Sequence, residues 1–211
     1  MVTLNLEDII HWFNSIRNLP ASQRYRALEG MWDTQLHSKW WIVEQLNNCL
    51  HEDTIPKNIY IFGGWIGILS SMLFQRSAFP INKIRSIDID PWCESVADTV
   101  CKPYEMTEWR FKAITSDMAD FQYQADLVPH IVINTSTEHV SQEIYDQWFN
   151  RIPINTLIVA QGNNYFSCNE HIRCANNLQE FNAINNISNP IFMGELKNSQ
   201  YIRFMSIWLK K

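Results

Sequence analysis

The sequence predicts an α/β fold with a seven-stranded, mostly parallel sheet, a C-terminal antiparallel hairpin and an N-terminal helical extension. Three observations indicate this class. Apolar runs of strand length alternate with helical patterns from residue 57 onward, the first run breaks into a glycine-rich turn, and two closing runs flank a short polar turn. We therefore expect a single domain over residues 1–211, with the helical extension in 1–56 and the core in 57–211.

The extension shows helical periodicity rather than strand alternation. A first helix before Pro20 is indicated by apolar residues that fall on one helical face, namely Leu6, Ile9, Ile10, Phe13 and Ile16. A second helix is predicted over residues 34–50, with one face formed by Leu36, Trp40, Val43 and Leu50. Pro56 then ends the helical region, because proline does not fit a helix interior.

The core alternates between the two types of element. Strands are predicted at residues 59–62, 84–88, 109–114, 130–134 and 156–161, and helices at 66–75, 91–100, 141–150 and 178–184. The runs 191–195 and 201–209 surround a polar turn, which is typical of a hairpin. Such alternation predicts a parallel sheet with helices on both faces.

Composition and charge restrict the possible classes of function. Of the 211 residues, 46% are hydrophobic, which suits a sizeable core, and the formal net charge is −5. No block of Lys or Arg stands out, so a large nucleic-acid footprint is not expected, although a small basic groove stays open. No apolar stretch is longer than a strand and the N-terminus lacks a signal-peptide pattern, so we expect a cytoplasmic protein without membrane contact. A homo-oligomer is an open alternative to a monomer.

The five cysteines are expected to be reduced thiols. Their number is odd and no Cys-x-x-Cys pair occurs. Cys168, His171 and Cys174 stand three residues apart, but this spacing matches no common structural zinc pattern and a fourth ligand is not evident. We therefore expect no metal.

The most informative pattern is a glycine-rich turn followed by an acid. Residues 59–67 read Ile-Tyr-Ile-Phe-Gly-Gly-Trp-Ile-Gly, and residues 84–91 read Ile-Arg-Ser-Ile-Asp-Ile-Asp-Pro. Glycines let the backbone approach a ligand, and Asp88 can accept hydrogen bonds from a ribose diol, so the order indicates an adenosine-containing cofactor. The alternatives are an ordinary strand-to-helix turn and an Asp88 that only caps the next helix, for which Asp90 is better placed.

Four segments in this order resemble the class I S-adenosylmethionine (SAM)-dependent methyltransferases over residues 57–211. Besides the turn and Asp88, they are Ser-Asp-Met at 116–118, after the third strand, and Asn-Thr-Ser-Thr-Glu-His at 134–139, after the fourth. The resemblance implies a Rossmann-like sheet and SAM as the cofactor. Two positions depart from the family's first motif, because Ile61 stands at its acid position and Trp65 at its second glycine.

The resemblance also implies the residues that hold the cofactor. Asp117 would accept from the adenine amino group, although a solvated loop acid is the alternative. Amides of the turn would hold the carboxylate of the amino-acid head. The cofactor-binding residues implied in this way are Gly63, Gly64, Trp65, Gly67, Asp88, Ile89, Asp117, Met118, Asn134 and Thr135.

The acceptor is expected where the fourth and fifth strands end. His139 is the candidate base or substrate-orienting group, with Glu138 beside it, and the alternative is that both residues only begin the next helix. Substrate contacts are expected from four further residues, Gln161, Asn163, His171 and Arg203. For Gln161, Asn163 and His171, the alternative is that they are ordinary loop residues. For Arg203, the alternative to binding an anionic substrate is a solvated side chain.

The resemblance implies a SAM-dependent methyltransferase, and we expect it to act on a small molecule. The N-terminal helices are expected to lie over the active site and to exclude water. Two other functions stay open. One is a SAM-using enzyme that transfers an aminopropyl-type group, closes a ring or cleaves a bond. The other is a catalytically inactive partner subunit, which the departures at Ile61 and Trp65 support.

Overall fold

A computed structural model describes residues 5–105 and 108–211 of the chain. The strands are β1 (Lys57–Phe62), β2 (Ile81–Asp88), β3 (Phe111–Thr115), β4 (Ile131–Asn134), β5 (Leu157–Asn163), β6 (Phe192–Lys197) and β7 (Ile202–Leu209). They form one seven-stranded sheet in the order β3-β2-β1-β4-β5-β7-β6.

The sheet is mostly parallel and ends in an antiparallel hairpin. Pairing is parallel between β1 and β4, between β4 and β5, and between β2 and β3. Strand β7 pairs antiparallel with both β5 and β6. Strands β1, β4 and β5 are buried along their whole length, which explains why their sequences are apolar runs rather than alternations. The predicted fold class is confirmed.

The helices are α1 (Leu6–Arg17), α2 (Ala21–Glu29), α3 (Asp33–Leu50), α4 (Ile68–Arg76), α5 (Pro91–Val100), α6 (Gln142–Arg151) and α7 (Leu178–Ile184). Pro91 lies in the first turn of α5, where its missing N–H costs nothing. Within the described ranges, no helix combines the length and the apolar character that a membrane crossing requires.

The buried faces of two N-terminal helices differ from the predicted ones. Helix α1 buries Trp12 and Ile16, whereas Leu6, Ile10 and Phe13 stay exposed. Helix α3 buries the row Ser38, Lys39, Ile42, Val43 and Leu46, of which only Val43 belongs to the predicted face. The pattern of apolar residues alone predicted the wrong buried face of α3. A lysine can bury its aliphatic stem, and bulky apolar side chains can lie at the edge of the packed surface.

The contacts group the described residues into two compact units. The first comprises those of Met1–Lys57 and Gly64–Thr115, and the second comprises Asn58–Gly63 and Ser116–Lys211. In the first unit, α1 is anchored by the indole of Trp12, which donates to the Ser71 hydroxyl on α4 at 2.9 Å.

The second unit is built around an aromatic cluster. Its rings meet edge to face, with centroids between 5.1 and 6.4 Å apart, and belong to Tyr60, Phe62, Phe121, Tyr123 and Trp148. Such contacts add specific geometry to the burial of apolar area. The cluster packs around β1 and thereby supports the strand that leads into the glycine turn.

Candidate functional site

The glycine turn of the first unit leads directly into α4. The Gly64 amide donates to the carbonyl of Ile87 at 3.1 Å, and the Gly67 amide donates to the carbonyl of Gly64 at 3.1 Å. Gly67 has φ +79° and precedes α4, and a Cβ there would lie 3.0 Å from the sulfur of Cys101. This position therefore requires glycine for both its backbone angle and its surroundings.

Trp65 holds a backbone conformation that usually belongs to glycine. Its φ is +48°, in the left-handed region that non-glycine residues seldom adopt. The turn that the family forms with a glycine is thus formed here with a tryptophan. Its amide donates to Asp88 Oδ2 at 3.0 Å, which stabilises the conformation.

Asp88 accepts a backbone amide on each carboxylate oxygen. Besides Trp65 on Oδ2, the amide of Asp90 donates to Oδ1 at 3.2 Å. A carboxylate has about four acceptor sites, so the two amides leave acceptor capacity on Asp88, where the side chain of Cys93 is a further hydrogen-bond partner. The cap of α5 is Asp90, whose Oδ1 accepts from Trp92 at 2.9 Å, so the structure does not use Asp88 as a helix cap.

The N-terminal helices of the first unit reach this loop. Arg26 of α2 forms an ion pair with Asp90 and lies 4.4 Å from the centroid of the Trp92 ring. The hydrogen bond from Arg26 holds the pKa of the Asp90 carboxyl below its usual value. Lys39 of α3 lies 6.0 Å from the centroid of the Trp65 ring. Ile89, between the two acids, is 68% exposed.

In the second unit, Gly63 is held against the segment that follows β4. Its φ is +68°, and a Cβ there would lie 1.9 Å from the Ser136 hydroxyl. The Thr135 hydroxyl donates to the Gly63 carbonyl at 2.9 Å, and the Thr135 amide donates to the Phe62 carbonyl at 3.1 Å. Only a glycine fits so close to this segment.

Three of the residues expected to bind the cofactor make internal contacts in the second unit. Asp117 accepts the amide of Ala119 at 2.8 Å and so closes a local turn. Asn134 is fully buried, donates to the sulfur of Met118 at 3.8 Å and accepts the Ser136 amide at 2.9 Å. Their proposed roles toward a cofactor therefore stay predictions.

Glu138 is a buried carboxylate in the 3₁₀ turn Thr137–His139, with 2% of its surface exposed. Its Oε1 accepts from the amide group of Asn163 and from Arg203 at 3.4 Å, while its buried Oε2 has no hydrogen-bond partner among the residues that the structure describes. Helix α6 begins only at Gln142, so Glu138 and His139 do not merely start that helix. Arg203 is only 5% exposed, and the solvated alternative is wrong for it.

Two histidines meet beside this carboxylate. The rings of His139 and His171 lie 4.6 Å apart between centroids, in an edge-to-face arrangement. His171 Nδ1 lies 3.1 Å from the carbonyl of Tyr165, and burial lowers the pKa of this imidazole. One ligand atom from each of Glu138, His139 and His171 lies within 4.8 Å of the other two.

The backbone explains why these distant residues meet. The amides of Ile172 and Arg173 both donate to the Glu138 carbonyl, at 2.9 and 3.1 Å. The loop after β5 is thereby bound to the turn after β4. His171 then lies beside His139, although the two residues are far apart along the chain.

Sequence reasoning missed Arg173, which supports this turn. Its guanidinium donates to the carbonyl of Thr137 at 3.0 Å and to Asn185 Oδ1 at 2.9 Å, and it lies 3.9 Å from the Tyr145 ring centroid. No local pattern marks this buried arginine. A signal that could have joined the two histidines is the repeated Glu-His pair at 138–139 and 170–171.

The predicted residues thus fall into two groups. In the first unit, the turn of Gly64, Trp65 and Gly67 meets Asp88. In the second unit, the cluster consists of Glu138, His139, Asn163, His171 and Arg203. Gln161 meets the second group through its backbone, because its carbonyl accepts from the Thr137 hydroxyl at 2.6 Å, while its buried side chain contacts Met205 with a nitrogen-to-sulfur distance of 3.6 Å.

Comparisons by sequence and by structure give different results. No protein-family model matches the sequence, and no curated protein matches it. N-methyltransferase NodS from Bradyrhizobium japonicum WM9, in complex with S-adenosyl-L-homocysteine, matches with a TM-score of 0.65 and 10% identity, over 95% of this chain and 98% of that chain.

Two other solved structures share the fold. Geranyl diphosphate C-methyltransferase from Streptomyces coelicolor A3(2) matches with a TM-score of 0.60 and 10% identity, over 94% of this chain and 88% of that chain. MtNAS in complex with MTA and tNA matches with a TM-score of 0.57 and 9% identity, over 97% and 70%. The chain therefore has a class I SAM-dependent methyltransferase-like fold.

Proposed function

We propose that this chain is a SAM-dependent methyltransferase acting on a small-molecule acceptor. The observation that carries the proposal is Asp88. It ends β2 in a methyltransferase-like fold, and two backbone amides orient its carboxylate without filling its acceptor sites. The remaining acceptor capacity suits a ribose hydroxyl.

The turn beside Asp88 supplies the other half of this arrangement in the first unit. Gly67 precedes α4, and no side chain caps the start of that helix. The amides of a helix N-terminus favour an anion, which in SAM is the carboxylate of the amino-acid head. Four further residues expected to bind the cofactor belong to the second unit, and their role is carried by the resemblance: Asp117, which is expected at the adenine, Met118, Asn134 and Thr135.

The acceptor is assigned to the cluster in the second unit. His139 is exposed and serves as the base or substrate-orienting group, while the buried Glu138 is positioned by Asn163 and Arg203. Methyl transfer needs in-line approach of a nucleophile to the sulfonium, so positioning supplies most of the catalysis. A base contributes when the nucleophile begins protonated.

A small acceptor agrees with two further observations. The neighbours NodS and geranyl diphosphate C-methyltransferase are methyltransferases by name, and the second is described with geranyl diphosphate bound. The net charge of −5 gives no support to a nucleic-acid substrate.

Calorimetry with SAM and with S-adenosylhomocysteine tests the cofactor half of the proposal. We expect saturable binding of both compounds, with a rise in melting temperature as ligand is added. Transfer of a labelled methyl group to candidate small molecules tests the reaction. Absence of heat and of any melting shift would instead support the inactive partner subunit.

A second candidate reaction is favoured by two observations. Ile61 is buried where the family's first motif has an acid, so an acceptor for the cofactor's ammonium group is missing from β1. MtNAS, which shares the fold, is described with MTA. Analysis of the nucleoside product separates the reactions, because methyl transfer leaves S-adenosylhomocysteine and aminopropyl-type transfer leaves methylthioadenosine.

A further inference from the structure

Glu138 lies in a cluster of side chains that has the composition of a metal site. Glu138, His139 and His171 each offer one ligand atom, and these three atoms lie within 4.8 Å of one another. Two imidazoles and one carboxylate with open positions are typical of catalytic zinc and of non-haem iron sites. Magnesium and calcium prefer sets made of oxygen alone.

His171 already makes the hydrogen bond that is usual for a metal-binding histidine. A carbonyl oxygen can only accept, so the contact of 3.1 Å between Nδ1 and the Tyr165 carbonyl places the proton on Nδ1. The lone pair is then on Nε2. Histidines that bind metals nearly always donate their other ring N–H in this way, which fixes the tautomer and the orientation of the ring.

The carboxylate of Glu138 is also oriented by its neighbours. Asn163 and Arg203 both donate to Oε1, whereas Oε2 is buried and has no hydrogen-bond partner within residues 5–105 and 108–211. A buried carboxylate oxygen without a partner carries a desolvation penalty, which a cation bound to it would offset. The charge of Arg203 lies on the side of the other oxygen.

The three side chains must move closer together to share one ion. Ligand atoms about 2.1 Å from a tetrahedral zinc ion lie about 3.4 Å from one another. The observed limit of 4.8 Å is wider than this, so binding requires side-chain movement. His139 is exposed at the end of a short turn, so rotation of its ring can close the difference.

We propose that Glu138, His139 and His171 hold one divalent transition-metal ion, for which zinc is the best match, and that its open positions bind an oxygen anion of the acceptor, so that His139 orients the substrate through the ion and does not act as a base. Because Arg203 already balances Glu138, the neutral imidazoles leave the charge of the ion uncompensated, which favours an anionic group such as a carboxylate or phenolate. The identity of the acceptor rests on the proposed function, whereas metal binding does not.

The test measures zinc binding to the chelator-treated protein by competition with a chromophoric chelator, with cobalt as a spectroscopic probe. We expect one ion per chain and an absorption spectrum typical of nitrogen and oxygen ligands. His139→Ala and His171→Ala should each weaken zinc binding by at least about tenfold. His37→Ala, an exposed histidine on α3, is the matched control and should leave the affinity unchanged.

Two further variants keep the proposal falsifiable. Glu138→Gln should also weaken zinc binding, and circular dichroism of each variant establishes that it is folded. Cys168→Ser combined with Cys174→Ser should not change the affinity, so a loss there would overturn the assignment in favour of thiolate ligands. The proposal also fails if folded His139→Ala binds zinc as tightly as the unmodified chain.

Binding of S-adenosylhomocysteine to the metal-free protein separates this inference from the proposed function. If that compound binds and zinc does not, only the metal site is refuted. If zinc binds and that compound does not, the methyltransferase proposal fails and the metal site stands.

Discussion

The Asp88 carboxylate accepts the backbone amide of Trp65 across 3.0 Å. This bond joins the end of β2 to the turn before α4 and, together with the Asp90 amide on the other oxygen, orients the carboxylate. Asp88 therefore has two tasks that an experiment can separate, because one concerns the turn and the other concerns a ligand.

Asp88→Asn should weaken binding of S-adenosylhomocysteine by roughly 10- to 100-fold, because hydrogen bonds to a charged group contribute about 1.5–3 kcal/mol. Calorimetry measures the change. The exposed Asp126→Asn is the control and should bind normally.

A ligand without the ribose 2′-hydroxyl separates the two tasks of Asp88. The unmodified chain should prefer S-adenosylhomocysteine over its 2′-deoxy analogue, and Asp88→Asn should lose this preference. If the variant weakens both ligands by the same factor, Asp88 acts only through the turn.

Trp65→Gly should be more stable than Trp65→Ala. Both variants remove the indole, but only alanine keeps a Cβ at φ +48°, where a left-handed conformation costs about 1–2 kcal/mol for a residue with a side chain. Urea unfolding of the two proteins gives the difference directly. An alanine variant that equals or exceeds the glycine variant would show that the turn changes its conformation.

Gly63→Ala should lower the free energy of unfolding by about 2 kcal/mol or more, because the new Cβ meets the Ser136 hydroxyl at 1.9 Å and φ is +68°. Thermal or urea denaturation measures the loss. Gly30→Ala is the control, since its Cβ meets the Ile66 side chain at 3.0 Å and the Ala27 carbonyl at 3.4 Å, and its φ is negative. Equal losses in both variants would contradict a specific clash.

Glu138→Gln should destabilise the fold by about 3–5 kcal/mol, because it leaves the buried Arg203 without a charged partner. The double variant Glu138→Gln with Arg203→Met should recover part of this loss. A double-mutant cycle measured by urea unfolding reports the coupling. Strictly additive losses would mean that the two charges do not interact.

Alkylation of the thiols should spare Cys93 and Cys101 in the folded protein. Burial raises the pKa of the Cys93 thiol, with the carboxylates of Asp88 and Asp90 adding to the effect, and burial also raises the pKa of Cys101 well above its ordinary value. A raised pKa leaves less of the reactive thiolate at any pH below it. Peptide mass spectrometry after iodoacetamide treatment at pH 8 should find both modified only after denaturation.

The succession of strands and helices along the chain and the turn before α4 could be predicted because their signals are local. Gly63 and Gly67 stand where the backbone has positive φ, and Asp88 stands where β2 ends. Each of these requirements concerns the residue at that position, so the sequence shows it directly. The buried face of α3 could not be predicted in this way, because it depends on which other elements lie against the helix.

The site in the second unit shows the same limit. Polar residues near the ends of β4 and β5 were predicted, but the contact between His139 and His171 was not. That contact results from two backbone hydrogen bonds to the Glu138 carbonyl. The burial of Arg203 follows from the pairing of β7 with β5, which sets Arg203 opposite Asn163.

By itself, the sequence determined the class of fold, the position of the glycine turn and the acid at the end of β2. Each of these can be recognised from short stretches of neighbouring residues. Only the tertiary structure decided that Glu138, His139 and His171 come within 4.8 Å of one another. The physical reason is that these contacts join loops distant along the chain, and their geometry depends on strand register and on buried hydrogen bonds that no local pattern encodes.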